Sequence, residues 1–123
     1  MRYLFFITGD EDRWAAMPWA EAERGLGRVR AWEAEQRRAG TIVDGSELAP
    51  TASATTVRQV GERVVVMDGP FAETKEAIGG YYLVDVPDLD AAISLARSSP
   101  FLDLADIEIR PLVGTSRLEA RAG

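Results

Sequence analysis

Five consecutive apolar residues, Tyr3-Leu4-Phe5-Phe6-Ile7, open the chain, and Gly9 with the acidic run Asp10-Glu11-Asp12 closes them off. An apolar run this short, rich in aromatic and branched side chains, predicts a strand from Arg2 to Thr8. The period then changes. From Met17-Pro18-Trp19, where proline suits a first helical turn, Leu26, Val29, Trp32 and the stem of Gln36 recur at helical spacing, with arginines and glutamates between them facing water. Gly40 behind Arg37-Arg38-Ala39 is the stop: glycine accepts the left-handed cap, and the arginines suit the negative end of the helix dipole. Gly25 and Gly27 inside this helix mark either a break or a face approached closely by another backbone.

Alternation returns from Thr41 to Leu48, interrupted near Asp44-Gly45. Thr55 to Val60 and Arg63 to Met67 flank Gly61-Glu62, a hairpin loop with glycine first that fits a type II′ turn. Gly80 to Val86 is the next strand. Pro87-Asp88 introduces a helix from Leu89 to Ser98, with Asp88 as N-cap and Leu89, Ala92, Ile93 and Ala96 facing inward. Ile107-Glu108-Ile109-Arg110 alternates like an edge strand with one wet face. Residues 1–113 therefore form the domain, and 114–123 are expected to be a flexible tail.

This order of elements predicts an α+β fold: a ferredoxin-like sandwich of a mainly antiparallel sheet with two helices on one face. Two helices cover one face only. Yet Tyr3-Leu4-Phe5-Phe6-Ile7 and Tyr81-Tyr82-Leu83-Val84 are apolar on both. The second face needs a cover, and a second copy of the same sheet supplies one, which predicts a homodimer through the sheet face closing a dimeric α+β barrel.

Composition narrows the chemistry. The chain has neither cysteine nor histidine, so thiolate and imidazole chemistry are excluded, and with them the usual zinc, haem and non-haem iron ligands. No cofactor or metal is expected. Asp10-Glu11-Asp12 is read as a solvated loop rather than a cation site. A net charge of −6 argues against a nucleic-acid partner. The short apolar opening, ended by charge, argues against a leader or a membrane span, and a cytoplasmic location is expected. Of 14 basic residues 13 are arginine, and the single lysine, Lys75, stands in the most charged turn of the chain.

That turn is Asp68-Gly69-Pro70-Phe71-Ala72-Glu73-Thr74-Lys75-Glu76, set between Val64-Val65-Val66-Met67 and Gly79-Gly80-Tyr81-Tyr82. Gly69 before Pro70 is a steric device for leaving a strand, and Asp68 suits an Asx-turn. In an extended continuation Phe71, Glu73 and Lys75 project to one side, placing an apolar wall, a carboxylate and an ammonium together. Lys75, Glu73 and Asp68 are the candidate catalytic residues; Tyr3, Phe5, Phe71, Tyr81 and Tyr82 are candidates for lining a substrate cavity. The bland alternative is that Asp68 to Phe71 build a turn and that Glu73 and Lys75 form ion pairs. Trp14 and Trp19 are read as core or dimer packing, with the capping of a pocket or a partner surface as the alternative. Ser98-Ser99 lacks a base and is no nucleophile.

The stretch from Asp68 to Glu76, with Gly79-Gly80-Tyr81-Tyr82 after it, resembles the defining motif of the DGPF proteins, a branch of the YCII-related family. The flanking Met1-Arg2-Tyr3-Leu4, Ala52-Ser53-Ala54-Thr55-Thr56-Val57-Arg58 and Ile107-Glu108-Ile109-Arg110-Pro111 match that layout as well. The resemblance implies a dimeric ferredoxin-like barrel. The histidine and aspartate proposed as catalytic in the wider family do not carry over: histidine is absent, and Ser99 ahead of Pro100 stands where the aspartate is expected. Family analogy also suggests association with a sigma factor. The combined expectation is a small-molecule-binding or regulatory dimer, with a cofactor-independent lyase or isomerase acting on a small cyclic or phenolic compound as the alternative.

Overall fold

The computed structural model describes residues 1–70 and 76–122. In chain order its elements are β1 (Arg2–Gly9), α1 (Glu11–Ala15), α2 (Trp19–Ala39), β2 (Ile42–Glu47), β3 (Thr55–Val60), β4 (Arg63–Asp68), β5 (Ala77–Asp85), α3 (Leu89–Arg97), β6 (Asp106–Pro111) and α4 (Arg117–Ala122). Four strands form one antiparallel sheet in the order β2-β5-β1-β6, and β3 pairs with β4 in a separate two-stranded ribbon. The fold is thus α+β with an antiparallel sheet, as its alternating and helical periods predict.

Alternation along β1 and β5 divides the sheet into unequal faces. Tyr3, Phe5 and Ile7 are paired with Val84, Tyr82 and Gly80, and all six are buried. Together with Trp32, Ile42, Val86 and the α3 residues Ala92, Leu95 and Ala96 they make one core, in which Phe5 and Val84 lose all contact with water. Burying a side chain of that size contributes roughly 1.5–3 kcal/mol. Leu4 and Phe6, paired with Leu83 and Tyr81, lie on the other face and are only half-buried. Beside them β6 brings Glu108 and Arg110, whose side chains pair at 3.3 Å, so this edge of the open face is wet.

The helices start and stop where their caps dictate. Asp10, expected in a loop, instead caps α1: its carboxylate accepts from the amides of Asp12 (2.9 Å) and Arg13 (3.4 Å). An acid that captures first-turn amides turns an acidic run into a helix start. Pro18 sits at the cap position of α2 rather than inside its first turn, and Gly40 ends the helix in the left-handed conformation. Gly25 and Gly27 do not break α2. Asp88 caps α3 through Ala91, but the inward set is Ala92, Leu95 and Ala96; the helix is rotated toward Leu95, which takes Leu89 to the flank and leaves it 50% exposed.

Two irregularities interrupt the sheet, one in β2 at Val43 between Ile42 and Asp44, the other in β5 at Gly79, where pairing steps from Ile7–Gly80 to Thr8–Ile78. Bulges of this kind bend a strand and re-aim its side chains. Gly61 has φ 62° and its neighbour Glu62 does not enter the positive range, which fits the type II′ turn read from the sequence. The ribbon is attached at its root by Gly69 N–H donating to Ala54 O (2.7 Å) and Thr56 Oγ1 donating to Gly69 O (2.8 Å). Gly69 takes φ 99°, a conformation open to glycine and strained for other residues. Beyond β6 the chain adds one bond to the sheet, Leu112 N to Arg2 O (2.9 Å), before the exposed α4. No helix among the described residues is long and apolar enough to cross a membrane.

The glycines separate packing from propensity. A Cβ on Gly45 would stand 2.4 Å from the Tyr82 ring and 2.7 Å from the Tyr81 carbonyl, whereas one on Gly27 would meet nothing within 4 Å. Gly27→Ala should raise stability by about 0.5–1 kcal/mol, and Gly45→Ala should lower it by about 1–3 kcal/mol. Urea denaturation checks both signs. A Gly45→Ala protein as stable as wild type would show that this ring is not wedged against β2.

Candidate functional site

A cavity of about 460 Å³ lies between the N-terminal half of α2 and the β2–β5 side of the sheet. It exists because small residues stand where two aromatic rings need room. Gly45 on β2 lets the Tyr82 ring approach the backbone, and Gly79 and Gly9 do the same for Trp14, since a Cβ there would come within 2.7 Å and 2.5 Å of the indole. This is why the glycines after the charged turn matter: Gly79 is the bulged residue of β5 and the seat of Trp14.

Each wall has its own anchor. Trp14, aimed by the Asp10 cap of α1, donates from Nε1 to the carbonyl of Leu104 (3.0 Å). Along α2 the cavity is bordered by Gly25, Leu26, Val29, Arg30 and Glu33. The 3₁₀ turn Pro100–Asp103 contributes Phe101 and leads on to Leu104. That turn is itself capped by Ser99, whose buried hydroxyl accepts from the amide of Phe101 (3.2 Å). The serine in the aspartate's expected place therefore shapes the wall rather than entering the cavity.

The chemistry concentrates on Tyr82. Its ring makes an edge contact with Trp32 (5.5 Å between centroids) and a tilted one with Phe101 (6.0 Å). Its hydroxyl donates to Oε1 of Glu33. Burial, and then the bond to the Glu33 carboxylate, push its ionisation far above the ordinary value near 10. The group is a neutral phenol at any physiological pH. It orients Glu33 and offers an oxygen lone pair, but it cannot serve as a phenolate base. Among the described residues no hydrogen bond or ion pair reaches the second oxygen of Glu33 or the carboxylate of Glu47, the other acid on the cavity's border. Nor do the described residues contain a cluster of three or more acids suited to a metal ion.

The candidates read from the sequence separate in space. Tyr82 and Tyr81 both border the cavity, with Tyr81 belonging by alternation to the open face. Tyr3 and Phe5 fill the core on the helix side and are not among the lining residues. Asp68 ends β4, exposed on the ribbon and away from the lining. Phe71, Glu73 and Lys75 lie outside the described residues. Trp14 borders the cavity, the lesser of its two sequence readings, while Trp19 is 68% exposed. Glu33, Arg30 and Glu47 were absent from the candidate list. The available signal was Tyr82 itself, since a buried tyrosine hydroxyl requires a partner and Glu33 follows Trp32 at the edge of the inner stripe.

The YCII-related domain model matches residues 1–115, and the chain belongs to that family. Over 114 residues it is 37% identical to an uncharacterised protein of Rhizobium meliloti (strain 1021), covering 91% of this chain and 92% of that one.

The Tyr82–Glu33 pair yields a pH prediction. Above pH 10 the unfolded chain loses the Tyr82 proton while the folded chain keeps it, so the folded state binds more protons. Its contribution is fully present below pH 10, and stability then falls by about 1.4 kcal/mol per pH unit from this group. Tyr82→Phe should remove that alkaline slope and, by leaving Glu33 without its donor, cost about 1–3 kcal/mol at neutral pH. Denaturation midpoints of both proteins between pH 7 and 11 check this; parallel curves would overturn it.

Proposed function

We propose that this chain is a homodimeric small-molecule-binding module whose ligand occupies the cavity between α2 and the sheet. The observation that carries the reading is the cavity's construction. Its size lies within the range of roughly 300–1,000 Å³ typical of ligand sites. Its walls are mostly apolar, and its polar end is held by one half-buried tyrosine–carboxylate bond. Groups fixed by packing in this way keep their geometry when a ligand arrives, which is what a binding site needs.

The dimer part of the proposal extends the strand order β2-β5-β1-β6 to a ferredoxin-like sheet whose open face meets a second copy, closing a barrel. Leu4, Phe6, Tyr81 and Leu83 give that face an apolar centre, and Asp44, Glu108 and Arg110 give it a charged rim. An apolar core inside a polar rim is the usual anatomy of an interface. The ribbon adds Val57, Val64 and Val66, each at least 64% exposed and carried on one face.

Two measurements test the reading. A panel of small ring compounds should include members that raise the melting temperature, and Gly25→Leu, which fills the cavity from α2 where a Cβ has only an ordinary 3.8 Å contact with Leu104, should abolish those shifts without unfolding the protein. A shift that survives in Gly25→Leu would place the ligand elsewhere. Sedimentation equilibrium should give the mass of two chains, with Phe6→Glu converting the protein to a folded monomer. A monomeric wild type would overturn the barrel.

A further inference from the structure

We infer that the cavity selects an organic cation: a primary or secondary amine carried on an apolar, ring-sized body. This rests on the binding reading above and names the ligand class for the same cavity.

The argument is an inventory of donors. At the inner end of the cavity the neutral side-chain donors are already engaged by the protein; of the other lining donors, the Tyr81 hydroxyl belongs by alternation to the open face and the Arg30 guanidinium is exposed to water. The Tyr82 hydroxyl donates to Glu33, the Trp14 indole to Leu104 O at 3.0 Å, and the Ser46 hydroxyl to Glu47 O at 3.1 Å. Trp32, which packs behind Tyr82, donates to Ser98 Oγ at 2.9 Å. The amide of Gly45 is taken by the Asp44 carboxylate at 2.8 Å. What these bonds leave over is acceptor capacity: the second oxygen of Glu33, a lone pair on the Tyr82 hydroxyl, and the Glu47 carboxylate. An inner end whose donors are spent and whose acceptors are open is complementary to a ligand that brings donors.

Charge points the same way. The lining holds two carboxylates and one guanidinium, that of Arg30. Arg30 is exposed, so water solvates its charge, whereas Glu33 is half-buried beside the ring of Tyr82. A carboxylate ligand would therefore meet Glu33 at the inner end, where Arg37, close enough to act on the Tyr82 hydroxyl, is exposed to water and already donates to Gly45 O at 3.4 Å. An ammonium would meet a carboxylate, in the charge-assisted pairing that is stronger than a neutral hydrogen bond. The apolar walls add to this, because Trp14, Tyr82 and Phe101 supply aromatic rings, and a cation over such a ring is attracted by its quadrupole. The hydrocarbon body of the ligand would rest against Leu26, Val29 and Leu104.

The test uses matched probes on the intact protein: benzylamine, benzyl alcohol and benzoate, then their indole-bearing counterparts, titrated by calorimetry at pH 7. The amine should bind about tenfold or more tightly than the alcohol of the same shape, as a charge-assisted bond predicts, and the carboxylate most weakly. Glu33→Gln should remove about tenfold of the amine's advantage while leaving the alcohol's affinity in place. Glu47→Gln, on an exposed border, provides a second variant should Glu33→Gln fail to fold. Binding of the alcohol and carboxylate with no preference for the amine would overturn the ligand class and leave the cavity reading standing. Tight binding of the carboxylate through Arg30 would do the same. If none of the probes binds, and no member of the wider panel does, both readings fall.

Discussion

One side chain ties the sheet edge, the long helix and the turn after α3 together. Tyr82 is seated against the backbone at Gly45, braced by Trp32 and Phe101, and bonded to Glu33. Those contacts come from β2, α2 and the turn after α3, so a single ring joins the sheet edge to the long helix and to the segment leading into β6. Removing the hydroxyl leaves a carboxylate without its donor; removing the room at Gly45 displaces the ring and with it the inner end of the cavity.

The fold was largely legible from hydrophobic period. Strands with no polar face, a long helix ending at Gly40, and an Asp88-capped helix all follow from spacing and caps, which act locally. The short α1 was missed because Asp10-Glu11-Asp12 reads as solvent-facing charge until one asks which amides Asp10 captures. The rotation of α3 that turns Leu89 outward depends on what it packs against, and a helical period alone leaves that angle open.

The cavity was harder to read, for a physical reason. A motif concentrates attention on charge, but the carboxylates that border this cavity come from the middle of a helix and the end of a strand, separated in sequence by Arg37, Gly40 and the bulge at Val43. Only the sheet brings them together. Tyr82 was legible because a buried phenol must find a partner; which acid answers it depends on the height at which α2 crosses the sheet. Glu73 and Lys75 remain sequence-level candidates, while Asp68 stands on the ribbon.

The Glu11 carboxylate accepts from both the amide (2.9 Å) and the hydroxyl (2.7 Å) of Thr51, at the 3₁₀ turn that opens the path into β3. The same five-residue helix carries Trp14, the lid side of the cavity. Cavity wall and ribbon root are therefore fastened to one lever. Glu11 and Trp14, three residues apart on α1, thus tie the approach to the ribbon and the border of the cavity to one turn of helix, so a substitution that unwinds that turn would loosen both at once.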